Sequence, residues 1–347
     1  MRRFARTLAA VAVAATVVAG TAGWASGTTQ RAVTGPPPGS ASWRADGALG
    51  RQLPDPVSAT PGQVAAFFAG LSGRERQLLL ERHPSVVGNL DGTPLELRYR
   101  ANALVLSASH DPRLVRLAAP GRQILAFDPR GRGQVAEVFG DLRSARHVSV
   151  VVPGSDIDAG TFDRRNDVYG TPAGMAKSLY AETGPGSAVI AWAGYTTPVG
   201  LGLDAATGGL AEAGARRLTR FAAGLAADGL PAPVVFCHSY GSVVCGLAAQ
   251  GLGATDLVVL GSPGMRADDV AGLRTGARVW AAKDDTDWID DVPNVRVAGL
   301  GHGPDPAGEA FGARRVPAED AKGHTGYFAP GTDSLRAFAA IAEGDSR

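Results

Sequence analysis

The chain has 347 residues, of which 45% are hydrophobic, and 34 Lys and Arg offset 33 Asp and Glu to a net charge of +1. That length supports one large domain or two small ones with a buried core. The near balance of charge, without any run of five basic residues, excludes a nucleic-acid partner from the expectations.

The chain opens on MRRFARTLAAVAVAATVVAGTAGWASG, with Arg2, Arg3 and Arg6 ahead of an apolar run from Leu8 to Val18 and small residues at Ala22 and Ala25. This pattern predicts a secretory signal peptide over residues 1–25. An uncleaved anchor is the alternative, but the run falls short of the roughly 20 residues that a spanning helix needs. Cleavage would remove three arginines and shift the net charge from +1 to −2. The expectation is a secreted or cell-envelope protein with no stable membrane span in its mature form.

Residues 26–57 are rich in Pro, Gly and Ser and read as a flexible linker. From residue 58 to 118 the pattern turns helical. Val64, Phe67, Phe68 and Leu71 recur at helical spacing, and Ser72 is a plausible N-cap for a second run through Leu78, Leu79 and Leu80. A third helix is expected after the turn at NLDGTP.

From residue 119 to the end the rhythm changes again. QILAFD and QVAEVFG, joined by PRGRG, read as an antiparallel hairpin. HVSVVV, SAVIAWA, PVVFCH, TDLVVL and ARVWAA are short apolar runs separated by Ala-rich helical stretches. Alternation of this kind predicts an α/β domain with a mostly parallel central sheet covered by helices on both faces, preceded here by the small helical segment. Ligands bind such sheets beyond the carboxyl ends of the strands.

One of those ends carries FCHSYGSVVCG, Phe236 to Gly246. Ser239 follows a strand-like run and precedes a helical one. A serine on such a turn is lifted into the cleft, and the N–H of the next residue, Tyr240, points to where an oxyanion would form. CHSYGS resembles the nucleophile elbow of the α/β-hydrolase fold, although Cys237 stands where the first glycine of Gly-x-Ser-x-Gly is usual. More narrowly, ERHPSVVGNLDGTP, AWAGYTTP, CHSYGS and GHGPDPAGEAFGA resemble an α/β-hydrolase family of unknown function common in secreted proteins of high-GC Gram-positive bacteria.

The resemblance implies a Ser-Asp-His triad in that chain order. His324, just before a final amphipathic helix, is the preferred base, with His302 as the alternative, while His238 beside the serine reads as structural. Among the acids after ARVWAA, the resemblance aligns Asp287, with Asp284 and Asp285 as alternatives. The N–H of Ser155, in the Pro-Gly turn after the first central strand, is the expected second oxyanion donor beside that of Tyr240. Candidate pocket liners are Tyr195, Thr196, Thr197, Tyr240, Met265 and Trp288.

Cys237 and Cys245 are the only cysteines, and in an exported protein they are expected to form a disulfide. No cofactor is implied, and the acidic run around Asp284 to Asp291 lacks the interleaved His or Cys of a metal site. The activity expected is hydrolysis of a small-molecule or lipid-like carboxylic ester through an acyl-enzyme. Acyl transfer, peptide hydrolysis and a non-catalytic binding role are the alternatives. The sequence leaves the oligomeric state unknown.

Overall fold

The computed structural model describes residues 29–345, so the expected signal peptide lies outside the described residues. The described residues form one eight-stranded sheet in the order β1-β2-β4-β3-β5-β6-β7-β8. Its strands are β1 (Gln123–Asp128), β2 (Gln134–Phe139), β3 (His147–Val152), β4 (Ser187–Ala193), β5 (Val234–His238), β6 (Asp256–Leu260), β7 (Arg278–Ala282) and β8 (Arg314–Val316). β1 and β2 make the antiparallel hairpin expected from their sequence, β2 joins β4 antiparallel, and every pairing from β4 to β8 is parallel. This is the topology of the α/β-hydrolase fold.

Helices of five residues or more are α1 (Ser40–Arg44), α2 (Pro61–Ala69), α3 (Gly73–Arg82), α4 (Leu95–Ser107), α5 (Pro172–Thr183), α6 (Gly209–Ala227), α7 (Gly241–Ala248) and α8 (Asp333–Ala342). The pleat sorts side chains between the two faces. Val148, Val150 and Val152 pack with Leu218, Phe221 and Val244 of α6 and α7, whereas Val151 packs with Leu179 and Phe338 of α5 and α8. A sheet buried on both faces needs apolar residues at consecutive positions, which is why its strands read as continuous runs.

The helices before the sheet enclose a cluster of their own. α2 and α3 each begin with a capping box, Thr60 with Gln63 and Ser72 with Glu75. This segment also covers the exposed edge of the sheet. Asn89 donates to Phe127 O at 2.6 Å and accepts from Phe127 N at 3.0 Å, and Asn102 donates to Ile124 O at 3.0 Å, so the outer side of β1 has partners.

Two readings of the sequence differ from the structure. The described part of the stretch read as a flexible linker is packed. Trp43 on α1 is fully buried among Leu53, Val64, Phe68 and Leu79, and its indole donates to Pro54 O at 2.8 Å. Composition misled here because one large aromatic in a pocket outweighs the disorder tendency of its Pro and Gly neighbours. β8 was not anticipated either, since a three-residue strand with two exposed arginines carries no apolar run.

Replacing Trp43 with Ala removes that anchor, and we expect a loss of about 3–5 kcal/mol in unfolding free energy. Urea denaturation of the full chain measures it, and a change below about 0.5 kcal/mol, the range of surface substitutions, would mean that this stretch is a linker after all.

Candidate active site

β5 ends at His238, and α7 begins at Gly241. The chain reverses between them by placing Ser239 at φ 54°, in the left-handed region that a non-glycine residue occupies only under constraint. That constraint is visible. Ser239 N donates to Leu260 O at 3.0 Å on the neighbouring strand, Ser242 N donates to Ser239 O at 2.9 Å, and Ser242 Oγ reaches back to Cys237 O at 3.0 Å. A disulfide joins Cys237 on the strand to Cys245 on the helix, with 6.4 Å between their Cα atoms. In the chain-entropy account, closing so short a loop contributes roughly 2–3 kcal/mol.

Gly154, after β3, lies directly over this turn. A methyl group there would stand 2.5 Å from Ser239 Cβ and 3.1 Å from Tyr240 N, so the loop approaches the serine only because residue 154 has no side chain. Within the described residues, the amides of Ser155 and Tyr240 donate to no other group. Tyr195 and Thr197, expected to line a pocket, also hold this loop. Tyr195 donates to Pro153 O and Thr197 to Ile157 O, both at 2.7 Å, and both residues are buried. Thr196 accepts from Val33 N at 3.0 Å, and Met265 is buried in the core.

After β7 the chain brings Asp287 to the same end of the sheet. Its carboxylate accepts from His324 Nδ1 at 2.8 Å, from Tyr327 Oη at 2.6 Å and from Ile289 N at 2.9 Å. Burial by itself would raise its pKa, but the bonds from His324, Tyr327 and the Ile289 amide outweigh that and hold the carboxylate below its usual range. Gly261, at φ 52°, makes room for the pair. A methyl group there would meet Asp287 Oδ2 at 2.8 Å and His324 Nδ1 at 3.0 Å.

The alternatives are placed differently. Asp284 is buried and binds Thr286 and, at 3.0 Å, Gly323 N, so it clips the loop that carries His324. Asp285 is exposed. His302 is also buried, with Nε2 2.7 Å from Ala205 O and its ring edge-on to Tyr240. The Tyr240 hydroxyl in turn donates to Thr207 O at 2.8 Å and accepts from Ala211 N at 3.2 Å, which turns that side chain toward the start of α6.

His324 itself is flanked on two sides. The ring of His238 lies 4.6 Å away between centroids, with its Nε2 2.7 Å from His324 O, and the half-exposed ring of Trp288 lies at 4.3 Å. Burial lowers the pKa of His238 to about 3, so its ring stays neutral and Nε2–H can donate to the carbonyl. Tyr327, Gly261 and the bond from His238 were not anticipated from sequence. Their contacts span 40 residues for Tyr327 to Asp287 and 86 for His238 to His324, and no local pattern encodes such distances.

Sheet order, left-handed serine turn and the loop over it define the fold class: the described residues have the α/β-hydrolase fold. Residues 128–297 match the family model described as alpha/beta hydrolase. Two curated proteins of Mycobacterium tuberculosis, "Uncharacterized protein MT2140" and "Uncharacterized protein Rv2079", are each 29% identical to the chain over 375 aligned positions, covering 84% of it and 57% of themselves. The chain thus spans little more than half the length of these relatives. Among solved structures, a predicted CIB-like hydrolase from Thermoplasma acidophilum is 14% identical with a TM-score of 0.42, covering 64% of this chain and 97% of that one. XC6422 from Xanthomonas campestris, described as an α/β serine hydrolase without lid, is 18% identical with a TM-score of 0.41, covering 65% and 95%.

The buried imidazoles generate a prediction about acid stability. Burial depresses His238 to about 3 and His302 to about 4, so below about 6.5 the unfolded chain takes up protons that the folded chain refuses, and stability falls with pH. Asp228, raised to about 6 by burial, acts in the opposite direction over part of this window. Replacing His238 with Gln, which can still donate to His324 O, should therefore flatten the stability profile between about pH 6 and 4.5 by roughly 1.4 kcal/mol per pH unit. Denaturant midpoints measured across that range check it, and an unchanged slope would contradict a neutral buried His238.

Proposed function

We propose that the protein is a secreted serine hydrolase acting on carboxylic esters through an acyl-enzyme. Ser239 is the nucleophile, His324 the general base and acid, and Asp287 the carboxylate that orients the imidazole. Ser239 Oγ attacks the carbonyl carbon while its proton passes to His324 Nε2, and the carbonyl electron pair moves onto oxygen. The amides of Tyr240 and Ser155 receive that oxyanion, aided by the N-terminus of α7. Collapse of the tetrahedral centre expels the alcohol oxygen, which takes the proton from His324. Water then repeats the sequence and releases the acid and Ser239.

The observation that carries this reading is the Asp287–His324 pair at 2.8 Å, with the His324 ring beside His238, the residue before Ser239, and both partners against Gly261. Asp287 is bonded to Nδ1, which leaves Nε2 as the nitrogen free to exchange a proton. Export is supported by the N-terminal pattern and by the disulfide, since such bonds persist in oxidising compartments.

A fluorophosphonate probe should label the wild-type protein and fail to label Ser239→Ala. Asp287→Asn should retain the serine but lose about 10³ to 10⁴ in turnover of a short-chain nitrophenyl ester, because the imidazole loses its orienting acceptor. Equal labelling of wild type and Ser239→Ala, or labelling of neither, overturns the catalytic reading.

A further inference from the structure

Away from the serine turn, a cavity of about 220 Å³ opens between the strap Val33 to Pro37, the turn end of the β1–β2 hairpin and one side of α6. It shares no lining residue with Ser239, Asp287 or His324. The strap is tied down over it. Val33 N donates to Thr196 Oγ1 at 3.0 Å, and Arg130 donates to Thr34 O at 3.2 Å.

The unmatched polar groups in its walls are donors. Trp192 is fully buried and Gln134 is 9% exposed, yet neither Trp192 Nε1 nor Gln134 Nε2 has a hydrogen-bond partner. The Nε1 edge of Trp192 lies against Gly194, which is another wall of the same cavity. Buried donors without acceptors are rare in folded proteins and call for an explanation.

Charge points the same way. Arg130, Arg216, Arg217 and Arg220 all line the cavity. Arg130 is held by Asp128 at 2.6 Å, while Arg217 and Arg220 share Asp91 at 2.7 and 3.6 Å. Arg216, exposed on α6, pairs with no carboxylate among the described residues. Four guanidinium groups line the cavity and Asp128 is the one carboxylate in its lining, with Val33 and Ala126 supplying apolar wall.

We propose that this cavity binds a small organic oxyanion, a carboxylate or phosphate head on a short apolar body. Arg216 supplies the unneutralised charge, and Gln134 supplies a donor that at present bonds to nothing. A rotation of the Gln134 amide is enough to turn its N–H toward the ligand. The body of the ligand lies along Val33 and Ala126, so binding also joins the strap to the sheet.

Isothermal titration of the full chain with butyrate, with inorganic phosphate and with the neutral isostere butyramide tests this. Saturable binding of either anion at one site per chain is expected, with butyramide silent and the affinity reduced by about tenfold or more in Arg216→Ala and in Gln134→Leu. Arg216 is exposed, so its replacement leaves the fold intact and removes only the charge. Binding of phosphate alone assigns a phosphate head, and binding of butyrate alone assigns a carboxylate. Absence of binding by both anions up to about 10 mM overturns the site, as does wild-type affinity retained in both variants or equal binding of butyramide.

Discussion

The left-handed turn at Ser239 is the constraint around which the rest of the site is arranged. A serine at φ 54° costs on the order of 1–3 kcal/mol, and such a conformation persists only where its surroundings leave no alternative. Here it is held from below by Leu260 O, from the helix side by Ser242, and covalently by the Cys237–Cys245 bridge. The cysteine that departs from the usual glycine is thus part of what holds the turn. The strained turn lifts one hydroxyl out of the sheet and leaves the next amide without a backbone acceptor.

The imidazole is held by a different logic. His324 sits on an irregular loop rather than on a strand or helix, so its position depends on side chains that reach across from elsewhere. Asp287 takes the ring nitrogen, His238 takes the backbone carbonyl, and Asp284 takes the amide of the preceding residue. Tyr327 binds the second oxygen of Asp287, so the carboxylate keeps one geometry. Each of these partners is buried, which makes the bonds strong when formed and costly when broken. Orientation of the imidazole is therefore distributed over the end of β5 and the loop after β7.

The segment before the sheet does more than connect. Asn89 and Asn102 satisfy the outer side of β1, which would otherwise be an open edge prone to pairing with other chains. The Asp91 carboxylate, fully buried, ties the same segment to α6 through Arg217 and lies 3.4 Å from Arg98. Sheet edge, strap and α6 thus meet at one side of the molecule, remote in the chain but continuous in space.

Much of this was legible in the residues themselves. A sheet buried on both faces demands continuous apolar strands, and a strand-turn-helix serine demands small neighbours, so both leave local marks at positions such as Val150, Val151 and Gly241. The helix cap at Ser72 is local for the same reason, since a capping box closes over three residues. By contrast, the docking of Trp43, the short strand Arg314–Val316, and the roles of Tyr195, Thr197 and Tyr327 depend on partners far along the chain. The residues alone determined the class of fold, the turn at Ser239 and a short choice of acids and bases. Only the tertiary structure decided that Asp287 meets His324 while Asp284 and His302 bind elsewhere, because hydrogen bonding between loops is settled by distances in space that no sequence period records.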